Sequence, residues 1–149
     1  MLGGWQLNGI VQWQTGFPLT VTEGANLDIR FMSARPDVTC DPNNGPQTAA
    51  QWFDTSCFVR RSLAETGVRP GNEGRDIVRG PSLKNTDLSL FKNIEIHGSH
   101  VLQLRVEAFN LFNQVHFGQP ASTIGTSTFG AITSAGDGRI IQLGAKYSF

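Results

Sequence analysis

No run of apolar residues in this chain of 149 approaches the roughly eighteen that a membrane-spanning helix needs, so that mode of membrane insertion is excluded. Net charge is also missing. Twelve lysines and arginines balance twelve aspartates and glutamates, and so no field points towards nucleic acid. Cysteine is scarce: Cys40 and Cys57, with sixteen residues between them, lack the further ligands of a tetrahedral metal set. Two readings of the pair stay open, a disulfide closed in an oxidising compartment or two unrelated thiols. The opening residues Met1-Leu2-Gly3-Gly4-Trp5 show no basic n-region, no apolar h-region and no cleavage site.

Turn residues and strict alternation are what the chain does have. Seventeen glycines and seven prolines against 16% charged residues favour sheet and turns over helix. Trp5, Leu7, Gly9, Val11, Trp13, Thr15 and Phe17 share one face of a period-two pattern. Gln6, Asn8, Gln12 and Gln14 share the other, with Ile10 as the apolar intruder. This is a long strand, placed at about 4–17. A second is expected at about 85–96, with Leu88, Leu90, Ile94 and Ile96 on one face and Asp87, Ser89, Phe91, Asn93 and Glu95 on the other. A third, at about 101–112, sets Leu102, Leu104, Val106 and Ala108 against Gln103, Arg105 and Glu107. The fourth, at about 139–149, sets Ile141, Leu143, Ala145, Tyr147 and Phe149 against Gln142, Gly144, Lys146 and Ser148.

Between these strands the connections are lopsided. Residues 18–84 run for sixty-seven positions without a sustained period, and residues 113–138 form a second loop of twenty-six. A short helix at Thr48–Phe53 and a short extended piece at Phe129–Ser134 are the local features expected within them. The connection at His97-Gly98-Ser99-His100 is tight. Because both flanking apolar sets are even-numbered, the turn is expected to hold an odd count of residues, three or five.

Alternation alone does not separate a soluble sheet from a transmembrane one. Three features favour the membrane. Both long loops fall on the side opposite the tight turn, as extracellular loops do in outer-membrane barrels. The last residue, Phe149, is apolar and lies in a strand. Trp5, Trp13, Phe17, Tyr147 and Phe149 gather at strand ends, as interfacial aromatics do. The expected fold is therefore all-β. It is an antiparallel transmembrane β-barrel segment of about four long strands, with two long extracellular loops and one tight periplasmic turn, and as a barrel it is incomplete. Lys92 stands out on the lipid face between Leu90 and Ile94. A position at the periplasmic rim or a register-shifting bulge would each accommodate it.

Several blocks then look familiar. Arg79-Gly80-Pro81 with Asp87-Leu88-Ser89-Leu90-Phe91-Lys92-Asn93 resembles the C-terminal part of TonB-dependent outer-membrane receptors, and the Oar-like branch in particular, whose members carry a carboxypeptidase-regulatory-like domain. Leu104 to Asn113, with its Glu107-Ala108-Phe109-Asn110-Leu111-Phe112-Asn113 core, and Phe129-Gly130-Ala131-Ile132-Thr133 are similar to the same family. Gln142, Gly144, Tyr147 and Phe149 resemble the barrel-assembly signal of outer-membrane proteins. The resemblance covers nearly all of residues 1–149. It implies a 22-stranded parent barrel with an N-terminal plug, of which these would be the last four strands, taking up a solute with energy relayed by TonB. Nothing here matches the plug or a TonB-contacting box. With no leader present either, the expectation is the tail of a longer chain. Its partners would then be outer-membrane lipid, the barrel-assembly machinery, and the remaining strands and plug of the parent, with TonB reached only through that plug. Localisation in the Gram-negative outer membrane with a periplasmic C-terminus follows. The alternative is a soluble all-β binding or adhesion module.

No catalytic constellation, cofactor site or nucleic-acid site is apparent, and an enzyme is not expected. His97, His100 and His116 lie in a turn and a loop. Asp41, Asn43 and Gly45 partly match a calcium-loop spacing, but the glycine comes one residue early and Trp52 replaces the bidentate glutamate. The lumen-facing polar residues expected are Asp87, Asn93, Glu95, Arg105, Glu107 and Lys146, read first as a wall ladder of cross-strand pairs. Solute recognition is more naturally sought in the long loop, at Trp52, Phe53 and Phe58.

Overall fold

The computed structural model describes residues 3–23, 35–60 and 71–149. Among these the strands are β1 (Trp5–Gln14), β2 (Pro18–Leu19), β3 (Thr22–Glu23), β4 (Asp37–Val38), β5 (Phe58–Val59), β6 (Val78–Arg79), β7 (Leu83–His97), β8 (His100–Phe109), β9 (Thr123–Ile124) and β10 (Ile140–Ser148). The chain divides into two compact units. One holds residues 1–14, 83–116 and 136–149; the other holds residues 15–82 and 117–135.

The first unit is a four-stranded antiparallel sheet in the order β1-β7-β8-β10. Opposed residues point to the same face, so the register decides whether the apolar sets line up. They do: Leu7 pairs with Leu90, Leu90 with Val106, and Val106 with Leu143. Among the described residues, nothing covers the resulting apolar face. Leu7 is 66% exposed, Val11 77% and Leu143 75%. In water, each such side chain would forgo roughly 1.5–3 kcal/mol of burial. The sheet is also open, with β1 and β10 as its two edges.

The tight turn departs from expectation. His97 pairs with His100, which leaves only Gly98 and Ser99 in the turn, not three or five residues. Gly98 takes the left-handed φ of +59° that such a two-residue turn needs. A β-bulge between Glu95 and His97 supplies the missing offset, so the strand bodies keep the even register that their apolar faces demand.

Past the far end of β8, Asn110 and Asn113 both adopt a left-handed φ of 51°, a conformation asparagine tolerates better than most side chains. Their side chains then satisfy the turn. Asn110 Oδ1 accepts from Gln114 N at 2.9 Å, Asn110 Nδ2 donates to the Gln114 carbonyl at 2.8 Å, and Asn113 Oδ1 accepts from Arg139 N at 3.0 Å. The Asn-Leu-Phe-Asn sequence is thus a strand-ending device.

The second unit, drawn from the two long loops, has a core of its own. Val21, Phe53, Cys57, Phe58, Val78 and Ile124 form a small buried core, with Leu19, Val38, Trp52, Ile77 and Phe129 packed against it. Phe53, Phe58 and Phe129 meet edge to face, with centroids 5.3–5.9 Å apart. Three two-residue ladders surround them: β2 with β6, β4 with β5, and β3 parallel to β9. Cys40 and Cys57 are joined by a disulfide, their Cα atoms 5.0 Å apart, beside the β4–β5 ladder. A loop of this length gains roughly 3 kcal/mol from closure in the chain-entropy model. Gly45 lies where a Cβ would overlap the Phe53 backbone.

Two local expectations fail here. Thr48–Phe53 is not a helix; Thr48 N instead donates to the Gln51 carbonyl in a tight turn, and the short 3₁₀ turns lie at Pro42–Asn44 and Thr55–Cys57. Each is capped by an aspartate, Asp41 or Asp54. Nor does Phe129–Ser134 hold a strand: Phe129 N and Ala131 N close turns onto Thr126 and Thr128, and the carbonyls of Ala131 and Ser134 then accept from Ala121 N and Gly118 N.

Replacing Asn110 with alanine should accelerate amide exchange at Gln114 by about ten- to a hundredfold, since that amide loses its acceptor and the left-handed turn loses its best-suited residue. Hydrogen exchange on detergent-solubilised protein measures this directly.

Candidate functional site

On the polar face of the sheet, the register sets Gln6, Phe91, Arg105 and Gly144 in one row across all four strands. The Arg105 guanidinium lies over the Phe91 ring, 5.0 Å from its centroid. Its Nε donates to Gln103 Oε1 at 2.6 Å, and Gln103 Nε2 donates to Asn93 Oδ1 at 2.8 Å. Opposite Arg105, Gly144 leaves the space beside the arginine stem unfilled by a side chain. Glu107 sits in the neighbouring row with Ser89 and Gln142, and Lys146 in the row of Gln103 and Asn93. Glu95 pairs with Val101 near the turn and is exposed. Asp87 acts on the backbone instead, where its Oδ1 accepts from Asn110 N and Asn85 Nδ2 and ties β7 to the asparagine turn. Thus Asn93, Gln103 and Arg105 form one network, from which Asp87 stands apart.

The four residues of the terminal motif split between faces. Gln142 and Gly144 lie on the polar side, while Tyr147 and Phe149 lie on the apolar side. The Tyr147 hydroxyl meets His100 Nδ1 at 2.8 Å with the rings stacked 15° apart, and Phe149 tilts against Tyr147 at 6.1 Å. His116 Nε2 meets the Lys84 carbonyl at 3.0 Å, and His97 pairs with His100 in the turn.

Lys92 stays on the apolar face. Its pairing with Trp5 belongs to an unbroken register, and the bulge comes after it, so the bulge does not rotate it away. Its ammonium donates to the Gly3 carbonyl and lies 4.9 Å from the Trp5 ring centroid. An equivalent pair sits eight residues along the same two strands: Lys84 lies 5.4 Å from the ring centroid of its partner Trp13.

In the second unit, Phe53 and Phe58 are core residues, so of the three loop aromatics only Trp52 reaches the surface. It lines a half-open cavity of about 280 Å³ with Asn43, Gln47, Arg79 and Ser82. Asp41 serves as a 3₁₀ cap, with Asn43 bonded to it, which accounts for the partial calcium-loop spacing. Asp54 lies close to the disulfide sulfurs and caps the second 3₁₀ turn.

Nothing periodic or motif-like in the sequence marks Glu73, yet its surroundings are unusual. It is only 2% exposed; Oε1 accepts from Val21 N at 2.7 Å, and Oε2 is buried without a partner among the described residues. Burial raises its pKa from 4.5 to about 7, against the opposing effects of the Val21 hydrogen bond and the Arg35 charge. The folded state therefore binds the proton more tightly than the unfolded chain. Stability linked to Glu73 is complete below pH 4.5 and is lost as pH rises towards about 7. The change amounts to at most about 3 kcal/mol. Glu73→Gln should flatten this dependence. Trp52 emission in thermal melts at pH 5 and pH 8, with Trp5 and Trp13 replaced by phenylalanine, tests it.

A family model described as an outer membrane beta barrel domain matches residues 1–142. Neither the curated proteins nor the solved structures contain a match.

Proposed function

This chain belongs to the outer membrane β-barrel family, and from that premise we propose that it is the closing stretch of a TonB-dependent transporter of the Oar-like branch. The barrel is embedded in the outer membrane, which explains the uncovered apolar face of the sheet and sets aside a soluble module. The transporter reading goes further. It is carried by one observation: both long excursions leave the same end of the sheet, at Gln14–Leu83 and Phe109–Ile140, and together they build a folded unit with its own core. A wall that merely closed a pore would not need one. The polar face, with Arg105 seated between Phe91 and Gln103, would face the lumen and meet solute or plug.

The two Trp–Lys pairs support the membrane placement. Eight residues at about 3.4 Å each put them about 27 Å apart along the strand, and a tilt of about 40° shortens that to about 21 Å across the membrane, just within the roughly 25 Å apolar band of such barrels. Lys84 and Lys92 would then sit at the two interfaces, where a lysine costs about 0–1 kcal/mol, not the roughly 2–4 of the midplane. Gly98-Ser99 and the end of β10 would be periplasmic. Remaining strands would pair with β1 and β10, and TonB would act through the plug.

Joined to a complete barrel and exported, the chain should expose Ser127→Cys but not Ser99→Cys to a membrane-impermeant maleimide on intact cells. Labelling of Ser99→Cys would overturn the orientation. Phe149→Ala, acting on the proposed assembly signal, should lower the amount of assembled barrel by about tenfold, read by heat-modifiable gel mobility. Uptake through the barrel should cease when TonB is deleted; uptake that persists would refute TonB dependence.

A further inference from the structure

We infer that the cavity in the second unit is a binding site for a small acidic sugar, a single hydroxylated ring bearing a carboxylate. Its walls are fixed before any ligand arrives. Asn43 Oδ1 accepts from Arg79 N at 2.9 Å, and the indole N–H of Trp52 donates to the Arg79 carbonyl at 2.8 Å, so the Arg79 backbone is held from both sides. Asn43 Nδ2 is engaged as well, donating to the Ile77 carbonyl at 2.8 Å. Trp52 N donates to the Gly130 carbonyl at 2.8 Å, which fixes the backbone from which the ring projects.

Three polar side chains around the same cavity remain open to a ligand. The Arg79 guanidinium, the Gln47 carboxamide and the Ser82 hydroxyl make no hydrogen bond or ion pair among the described residues. Arg79 and Ser82 also border an adjoining hollow with Thr15 and Gly16, so the cation stands between two concavities, and no carboxylate among the described residues lines either. Gln47 holds a left-handed φ of 53°. Glycine enters that conformation freely and glutamine does not, and such strain gathers at binding sites.

The chemistry of the lining selects the ligand class. A guanidinium fork binds a carboxylate through two parallel hydrogen bonds. A carboxamide and a hydroxyl each both donate and accept, as ring hydroxyls require. Trp52, which lines the cavity, offers apolar surface for the ring's C–H groups. At about 280 Å³ the space lies just below the roughly 300–1,000 Å³ of drug-sized sites, which suits one ring and excludes a nucleotide. The unshared positive charge argues against a cation.

The test uses the full chain in lauryldimethylamine-oxide micelles, which carry no sugar of their own, with Trp5 and Trp13 replaced by phenylalanine so that Trp52 alone reports. Glucuronate should change its emission saturably at millimolar concentrations, with glucose at least tenfold weaker. Arg79→Gln should weaken glucuronate tenfold or more while the Cys40–Cys57 disulfide still forms. Gln47→Gly should raise the melting temperature yet weaken binding severalfold, a pairing that a purely structural glutamine would not show. Equal binding of glucose and glucuronate, equal binding of inorganic phosphate, or no effect of Arg79→Gln would each overturn the proposal. None of these outcomes bears on the barrel orientation, which the labelling of Ser99→Cys reads separately.

Discussion

Hydrocarbon offers a backbone no water to bond, so each strand in a membrane must be paired along its length, and a pairing error cannot be repaired by solvent. Much of the sheet follows from that constraint. The alternation of β1, β7, β8 and β10 has meaning only if the register keeps every apolar set on one side, because a slip of one residue would turn a whole strand inside out. The bulge at Glu95–His97 shows which demand prevails: the strand bodies keep their register, and the irregularity is pushed into the last residues before the turn. The same constraint governs Lys84 and Lys92, each placed against the tryptophan it faces across the ladder.

That sheet was readable from sequence because its physics is local and periodic. Leu88, Leu90, Val106 and Leu143 announce their face by spacing alone. Ser99 and Gly98 announce a turn but not its length, since a bulge adds a residue that composition does not reveal. The asparagine pair at 110 and 113 was visible as a motif, yet its role depends on backbone dihedrals that spacing does not fix. Among the polar-face residues, the row containing Arg105 follows from register. That Arg105 leans on Phe91 while Asp87 turns to the backbone of Asn110 does not.

The second unit was opaque for a different reason. Val21, Phe53, Val78 and Ile124 come from segments far apart in sequence, each too short to show a period, and they meet only through non-local contacts. Two-residue ladders such as β4 with β5 carry little cooperativity of their own. What organises them is the aromatic trio and one covalent link. Glu73 and the cavity beside Trp52 are products of that assembly, so neither could have been located before it was known.

The covalent link also sets a timetable. Cytoplasmic thiols stay reduced, and the disulfide of Cys40 with Cys57 closes only where oxidants are available. Until then the segments that build this small core lack their staple, and the chain remains threadable. Oxidation after export would therefore act as a one-way latch, completing the unit on the side of the inner membrane from which it cannot slip back.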